Sequence, residues 1–205
     1  IRPINKTGLI DGITTNPSLL AKQEGNFKQI LKSIATEVKG PISAEVTATK
    51  AEKMITEAKI LQKIAKNIVI KIPLTLEGLI ACSYLSKNKF KVNVTLCFST
   101  NQALLAAKAG ATYISPFIGR LDDIGENGLQ LIKDIKLVYN NYNYSTKILA
   151  ASIRSAEHVI EVSKIGADVA TIPPKIFHNL YKHDLTDQGL ESFLSDWKKS
   201  GKQIS

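Results

Sequence analysis

Cysteine is scarce in this sequence: only Cys82 and Cys97 are present, and methionine and tryptophan occur once each. Two cysteines at this separation make neither a metal-ligand spacing nor a disulfide framework, which fits a reducing compartment. The three histidines, His158, His178 and His183, also lack metal-ligand spacing and read as incidental, so no metal site is expected. No apolar run approaches the roughly 20 residues that cross a bilayer. No charged-then-apolar leader with a cleavage site opens the chain. A cytoplasmic protein without a membrane partner is therefore expected. The net charge is +9, from 27 Lys plus Arg against 18 Asp plus Glu, yet no dense basic block interleaves with aromatics. The lysines are scattered, as at Lys28, Lys32, Lys39, Lys50, Lys53 and Lys59. That pattern describes a solvated surface and gives no nucleic-acid footprint. Its positive field would favour small anionic substrates.

What is present is a repeat of one local pattern. Short β-branched runs fall at 10–15, 42–47, 68–72, 92–97, 112–117, 147–151 and 168–172, with amphipathic stretches such as 51–65 and 102–108 between them. Strands alternating with helices indicate βαβ units and a parallel sheet. Two helix-to-strand junctions are alike, KAGAT at 108–112 and KIGAD at 164–168, each with a glycine suited to a helix C-terminus. With 205 residues, 44% hydrophobic and 22% charged, the chain suits a single domain over 1–205. Seven strands are one short of a (β/α)8 TIM barrel. The opening IRPINKTG reads as the tail of a helix and its loop, residue 1 is Ile, and the only methionine is Met54. The expectation is a (β/α)8 barrel whose first β-strand lies ahead of residue 1. An open doubly wound sheet is the structural alternative.

The stretch NIVIKIP at 67–73 sets a lysine inside a run of Ile and Val. Lysine is almost never buried without compensation. Either Lys71 escapes at the strand end or the site uses a desolvated amine. Taking the phase from Lys71, alternation along each strand divides polar from apolar positions. Ser43, Glu45 and Thr47 oppose Ile42, Ala44 and Val46, while Asn93, Thr95 and Cys97 oppose Val92, Val94 and Leu96. Thr14 and Asn16 share a side, Ser115 and Phe117 share a side, and Ser152 follows the 147–151 strand. One face thus gathers Thr14, Asn16, Glu45, Lys71, Asn93, Thr95, Ser115 and Ser152 towards the C-terminal ends of the strands, where barrel enzymes carry their catalytic residues. Burial disfavours an ammonium ion and frees a neutral amine as a nucleophile, which suits Lys71 to forming a Schiff base with a carbonyl substrate. Arg120 and Arg154 follow two strand ends. Singly, Arg120 reads as ion-paired to Asp122 or Asp123 and Arg154 as a surface charge at a helix start. With Ser152 two residues from Arg154, recognition of a phosphate gains weight.

The stretches GITTNPSLL (12–20), NIVIKIPLTLEGL (67–79), VNVTLCFSTNQALLAAKAGATYISPFIGRLDDIGENG (92–128) and ILAASIRS (148–155) resemble the transaldolase family. The likeness is strongest to its short bacterial and archaeal branch, which includes fructose-6-phosphate aldolases, and it runs over essentially the whole chain. The resemblance implies that Lys71 forms the Schiff base and that Glu45 and Thr95 hold the catalytic water. It implies that Asn16 and Asn93 contact substrate hydroxyls, and that Ser115 and Phe117 line the pocket with Thr14 beside them. Arg120, Ser152 and Arg154 then bind the sugar phosphate. The implied reaction moves a dihydroxyacetone unit from sedoheptulose 7-phosphate to glyceraldehyde 3-phosphate, giving erythrose 4-phosphate and fructose 6-phosphate, with no cofactor. Glu45, Asn93 and Phe117 stand where the aldolase branch typically has Gln, an apolar residue and Tyr, so they favour transfer over cleavage. The family's first-strand aspartate, in an LDTA-type motif, has no counterpart here, and Asp11 belongs to the 10–15 strand. The alternatives are therefore a fructose-6-phosphate aldolase and an inactive barrel that only binds sugar phosphates. Leu190, Phe193, Leu194 and Trp197 share one helical face near the C-terminus. In the short branch this terminal helix joins subunits, which implies a homo-oligomer, a pentameric ring or decamer.

Overall fold

The computed structural model describes residues 2–204. Its seven strands are β1 (Ile13–Thr14), β2 (Ile42–Glu45), β3 (Ile68–Pro73), β4 (Val92–Cys97), β5 (Tyr113–Pro116), β6 (Lys147–Ala150) and β7 (Val169–Ala170). Helix α1 (Arg2–Asn5) precedes the sheet, and α2 (Pro17–Leu20) and α3 (Phe27–Glu37) follow β1. Helices α4 (Ala51–Gln62), α5 (Leu76–Lys87) and α6 (Thr100–Lys108) follow β2, β3 and β4. Then α7 (Ile118–Asp122) and α8 (Gly128–Asn141) follow β5, α9 (Ala156–Ile165) follows β6, and α10 (Pro174–Asn179) and α11 (Asp184–Ser200) close the chain.

All strand pairs are parallel, and their order in space is their order in sequence, β1 to β7. A doubly wound sheet reverses its order at a switch point. This one never reverses, so the architecture is of the α/β barrel type and the open-sheet alternative fails. The sheet curls: the hydroxyls of Thr14, on β1, and Thr171, just beyond β7, lie 2.7 Å apart. No backbone ladder joins β1 to β7 among the described residues. Both outer strands have a single paired neighbour, and each is two residues long where the sequence pattern suggests five or six.

Local chemistry explains where the helices begin. Asn26, Thr75, Ser99, Asn127 and Ser155 each accept a hydrogen bond from a backbone N–H in the first turn of α3, α5, α6, α8 and α9. Gly166 ends α9 in the left-handed region at φ 90°, and Gly110 has φ 82° just past α6, as the two repeated junctions suggested. The core lies between strands and helices. Ile42, Ile68, Ile70, Ile72, Val94, Ile114 and Ile148 pack in one buried cluster with Leu31, Met54, Ala81, Leu85, Ala106, Ile132 and Ile135. Full burial of each large aliphatic side chain contributes about 1.5–3 kcal/mol.

The alternation breaks once. Leu96 has φ 61°, and the β4–β5 register shifts between Thr95 and Cys97. A bulge of this kind resets which face the next residue takes. Cys97, placed by alternation on the polar inner face, instead belongs to the apolar cluster that also holds Tyr139 of α8. Burial raises the thiol of Cys82 to about 11 and that of Cys97 to about 12, from an ordinary value of 9.0. Unfolding exposes both thiols, so between those values the unfolded state loses protons that the folded state keeps. Stability is intact below about pH 9 and should fall as the pH rises above it. Both cysteines should resist a thiol reagent in the native state at about pH 8 and react together once the chain is denatured.

Candidate active site

The register of the parallel ladder sets the inner residues side by side. Glu45 pairs with Lys71 across β2–β3, Lys71 with Asn93 across β3–β4, and Thr95 with Ser115 across β4–β5. Residues on neighbouring strands in these positions point to the same face. Lys71 is only 6% exposed. Its Nζ lies 3.0 Å from Glu45 Oε2 and donates to the Thr15 carbonyl oxygen at 3.1 Å. The lysine does not escape to solvent, nor is it a bare amine in an apolar hole. A largely enclosed carboxylate, its side chain 13% exposed, compensates it, which is the arrangement that allows a charge below the surface.

Beside this pair is a polar network that is fully enclosed. Asn93 has no exposed surface; Ser115 Oγ donates to its Oδ1 at 2.7 Å and its Nδ2 donates to Ser43 Oγ at 3.1 Å. Ser43 thus fixes the Asn93 amide from the far side, a role its sequence position on the inner face allowed but did not specify. Thr95 is equally buried, and its hydroxyl has no partner among the described residues. A buried hydroxyl normally has one, so this oxygen suits a bound water or a substrate hydroxyl. Thr14 meets Thr171 across the curl of the sheet. Asn16 is half-buried and its Oδ1 caps α2 by accepting from Leu19 N at 2.8 Å, which leaves its amide nitrogen for other contacts.

The second group lies on the loops after β5 and β6. Phe117 packs edge-on against Phe98, with ring centroids 5.9 Å apart, and the Arg120 guanidinium stacks over the Phe117 ring at 5.2 Å. The ion pair the sequence suggested for Arg120 forms elsewhere: Arg154 Nη2 donates to Asp123 Oδ2 at 2.7 Å. Gly119 brings the two loops together. Its N–H donates to the Ser152 carbonyl oxygen at 3.1 Å, and an added Cβ would collide with that oxygen and with the Arg154 side chain. Ser152 itself is held in the left-handed region at φ 58°, a strained conformation for a residue with a side chain. His158, read from sequence as incidental, belongs here too. Its Nδ1 accepts from Arg154 N at 3.3 Å, and its Nε2 lies 3.4 Å from Asp122 Oδ2. With Nδ1 accepting, the ring proton sits on Nε2 and faces the carboxylate. Arg154, two residues ahead of α9, and Arg120 on α7, next to the Gly119 that touches Ser152, are residue types that suit an anionic group such as a phosphate. Among the described residues no group of three or more His, Cys, Asp or Glu could hold a metal ion. No helix among the described residues is long and apolar enough to cross a membrane.

Comparisons with known proteins show the family. A family model described as Transaldolase/Fructose-6-phosphate aldolase matches residues 1–204. A protein of Caulobacter vibrioides named "Probable transaldolase" is 59% identical over 204 residues, covering 100% of this chain and 94% of the relative. One of Brucella anthropi with the same name is 58% identical over 205 residues, again covering 100% of this chain and 94% of the relative. The crystal structure of inosine 5' monophosphate dehydrogenase from Legionella pneumophila is similar with a TM-score of 0.57 at 14% identity, over 82% of this chain and 58% of that one. That is a likeness of fold alone.

Removing one partner of a buried ion pair leaves the other charge uncompensated, which typically costs about 3–5 kcal/mol. Glu45→Ala should therefore destabilise the fold by roughly that amount. The double variant Glu45→Ala with Lys71→Met should recover much of the loss, because no charge is left stranded. Urea unfolding of the two variants checks this, and a double variant no more stable than Glu45→Ala contradicts it.

Proposed function

The chain belongs to the transaldolase/fructose-6-phosphate aldolase family, and from that membership we propose that it is a cytoplasmic transaldolase. Its reaction moves a dihydroxyacetone unit from sedoheptulose 7-phosphate to glyceraldehyde 3-phosphate, giving erythrose 4-phosphate and fructose 6-phosphate. The observation that carries the proposal is the pairing of buried Lys71 with the largely enclosed Glu45 at 3.0 Å, beside the enclosed Asn93 and Thr95. Lys71, having passed its proton to Glu45, attacks the C2 ketone. The tetrahedral adduct loses water as Glu45 returns the proton, with Thr95 holding that water, and a protonated imine results. The imine accepts the electron pair of the C3–C4 bond, so the aldose phosphate departs and a bound enamine remains. Departure also requires a base for the C4 hydroxyl, the role the family gives to a first-strand aspartate with no counterpart in residues 1–205. The enamine then adds to the acceptor aldehyde, and hydrolysis of the new imine releases product.

Asn93, oriented by Ser115 and Ser43, is assigned to a substrate hydroxyl, and Asn16 to another through its free amide nitrogen. Arg120, Ser152 and Arg154 are assigned to the phosphate, which would displace Asp123 from Arg154. Phe117 has no hydroxyl to protonate the enamine, so the three-carbon unit waits for an acceptor. That feature favours transfer over the aldolase alternative.

Trapping with borohydride in the presence of fructose 6-phosphate should leave a dihydroxyacetone adduct on Lys71, found by peptide mass mapping, and none in Lys71→Met. Without an acceptor aldehyde, free dihydroxyacetone should not accumulate; its steady release would identify a fructose-6-phosphate aldolase. Phosphate-site binding with no adduct would identify a barrel that only binds.

The chain is proposed to work as a homo-oligomer, a pentameric ring or decamer. Helix α11 has no buried residue, and Phe193, Leu194 and Trp197 lie on its surface, 74, 59 and 43% exposed. It also carries Asp184, Asp187, Glu191 and Asp196 on a chain whose net charge is +9, so a second copy offers both an apolar surface and the opposite charge. Light scattering should give a mass several times the 22.4 kDa of one chain, and Phe193→Asp with Leu194→Asp should reduce it. An unaltered mass in that variant would show that α11 does not join the subunits.

A further inference from the structure

Glu45 is the last residue of β2, and a side chain at a strand end is only as well placed as the backbone that follows it. The last ladder bond after it is Val46 N to the Lys71 carbonyl oxygen, at 3.0 Å. Beyond Val46 the chain leaves the sheet, and the next two N–H groups turn towards one side chain on α4. Thr47 N donates to Glu57 Oε2 at 2.7 Å, Ala48 N donates to the same oxygen at 3.1 Å, and Thr47 Oγ1 donates to Glu57 Oε1 at 3.2 Å. A second carboxylate holds the far end of the loop, where Glu77 Oε2 accepts from Ala51 N at 2.8 Å. Glu57 and Glu45 also line one cavity of ≈ 270 Å³, together with Phe27, Thr47, Ile60 and Leu61. Only Val46 therefore separates the residue that holds Lys71 from the end of the loop that Glu57 holds.

We propose that Glu57 is a positioning residue for the Lys71 chemistry: it clamps the β2–α4 loop and so fixes Glu45 against Lys71. The inference rests on the reading of Lys71 as the Schiff-base lysine. The clamp works by reach and acceptor geometry, and the charge of Glu57 is not what it uses. One oxygen of Glu57 takes both backbone N–H groups, and the other meets only a hydroxyl. Glutamine can reproduce this, since its carbonyl oxygen accepts both N–H groups and its amide nitrogen donates to Thr47 Oγ1. Aspartate keeps the charge but is one methylene too short.

The test compares Glu57→Ala, Glu57→Gln and Glu57→Asp with the wild-type chain by two measurements. The first is the rate of borohydride-trapped adduct formation on Lys71 at saturating fructose 6-phosphate. The second is the pH dependence of Lys71 acetylation by acetic anhydride, read by peptide mapping with no sugar phosphate present. Glu57→Ala and Glu57→Asp should slow adduct formation about tenfold or more with the half-saturating concentration nearly unchanged, because a misplaced proton acceptor affects the chemical step. Both should shift the acetylation profile of Lys71, whereas Glu57→Gln should stay close to wild type in both measurements. If Glu57→Ala does not fold, the order of the Gln and Asp variants decides. The proposal is overturned if Glu57→Asp matches or exceeds Glu57→Gln, or if the acetylation profile of Lys71 is the same in all the folded variants. A wild-type chain that forms no adduct would sink the transaldolase reading alone, because the acetylation order still tests the clamp.

Discussion

The constraint on which the rest of the structure depends is the placing of a lysine in the middle of a buried strand. Lys71 stands in β3 among Ile68, Val69, Ile70 and Ile72, all enclosed. An ammonium group in that position is tolerable only with a counter-charge and hydrogen-bond acceptors at hand. Both come from the neighbouring chain segments: Glu45 from the adjacent strand and the Thr15 carbonyl oxygen from the residue just after β1. The parallel register has to set Glu45 level with Lys71 for this to work, and a slip of one residue would turn the carboxylate towards the helices. The need to satisfy one charge therefore fixes the alignment of three strands. The same alignment brings Asn93 and Ser115 alongside.

The polar interior is layered in how tightly it is bound. Asn93 is held on both sides by hydroxyls and has no exposed surface, so its amide orientation is set before any ligand arrives. Thr95, two residues further along the same strand, has a hydroxyl with no partner among the described residues. A site that acts on a carbonyl compound benefits from this contrast. In the proposed reaction the fixed groups would orient the substrate, and the unpaired hydroxyl would take a water or a reacting hydroxyl. The loops beyond the strands follow a different logic. Gly119 allows the β5 and β6 loops to touch, Ser152 accepts a left-handed backbone to keep them there, and Arg154 extends outwards to Asp123. Strain and close approach at these positions fix the outer end of the site, while the charge there remains exchangeable.

Much of this was legible in the residues as written. The alternation of β-branched runs with helical stretches gave all seven strands, because periods of two and 3.6 residues are local properties of the chain; their barrel-type order in space came from the fold, which ruled out the doubly wound alternative. The same alternation assigned Glu45, Lys71, Asn93, Thr95 and Ser115 to one face. The lysine inside NIVIKIP stood out because such burial needs a reason. The bulge at Leu96 was not legible, since nothing in VNVTLC announces a residue at φ 61°, and it sent Cys97 to the helix side.

Which residues meet was decided only by the tertiary structure. Ser43 reaches Asn93, Thr14 reaches Thr171, Arg154 takes Asp123 in place of a free position, and His158 links Asp122 to the Arg154 backbone. Glu57 closes the loop behind Glu45 from the second turn of a helix. These partners are separated in sequence by up to 157 residues, as for Thr14 and Thr171, and no local period relates them. Strand register, the path of each loop and the single bulge set their distances. The sequence by itself determined the elements and the chemical character of each face; the fold decided which side chain on that face answers which.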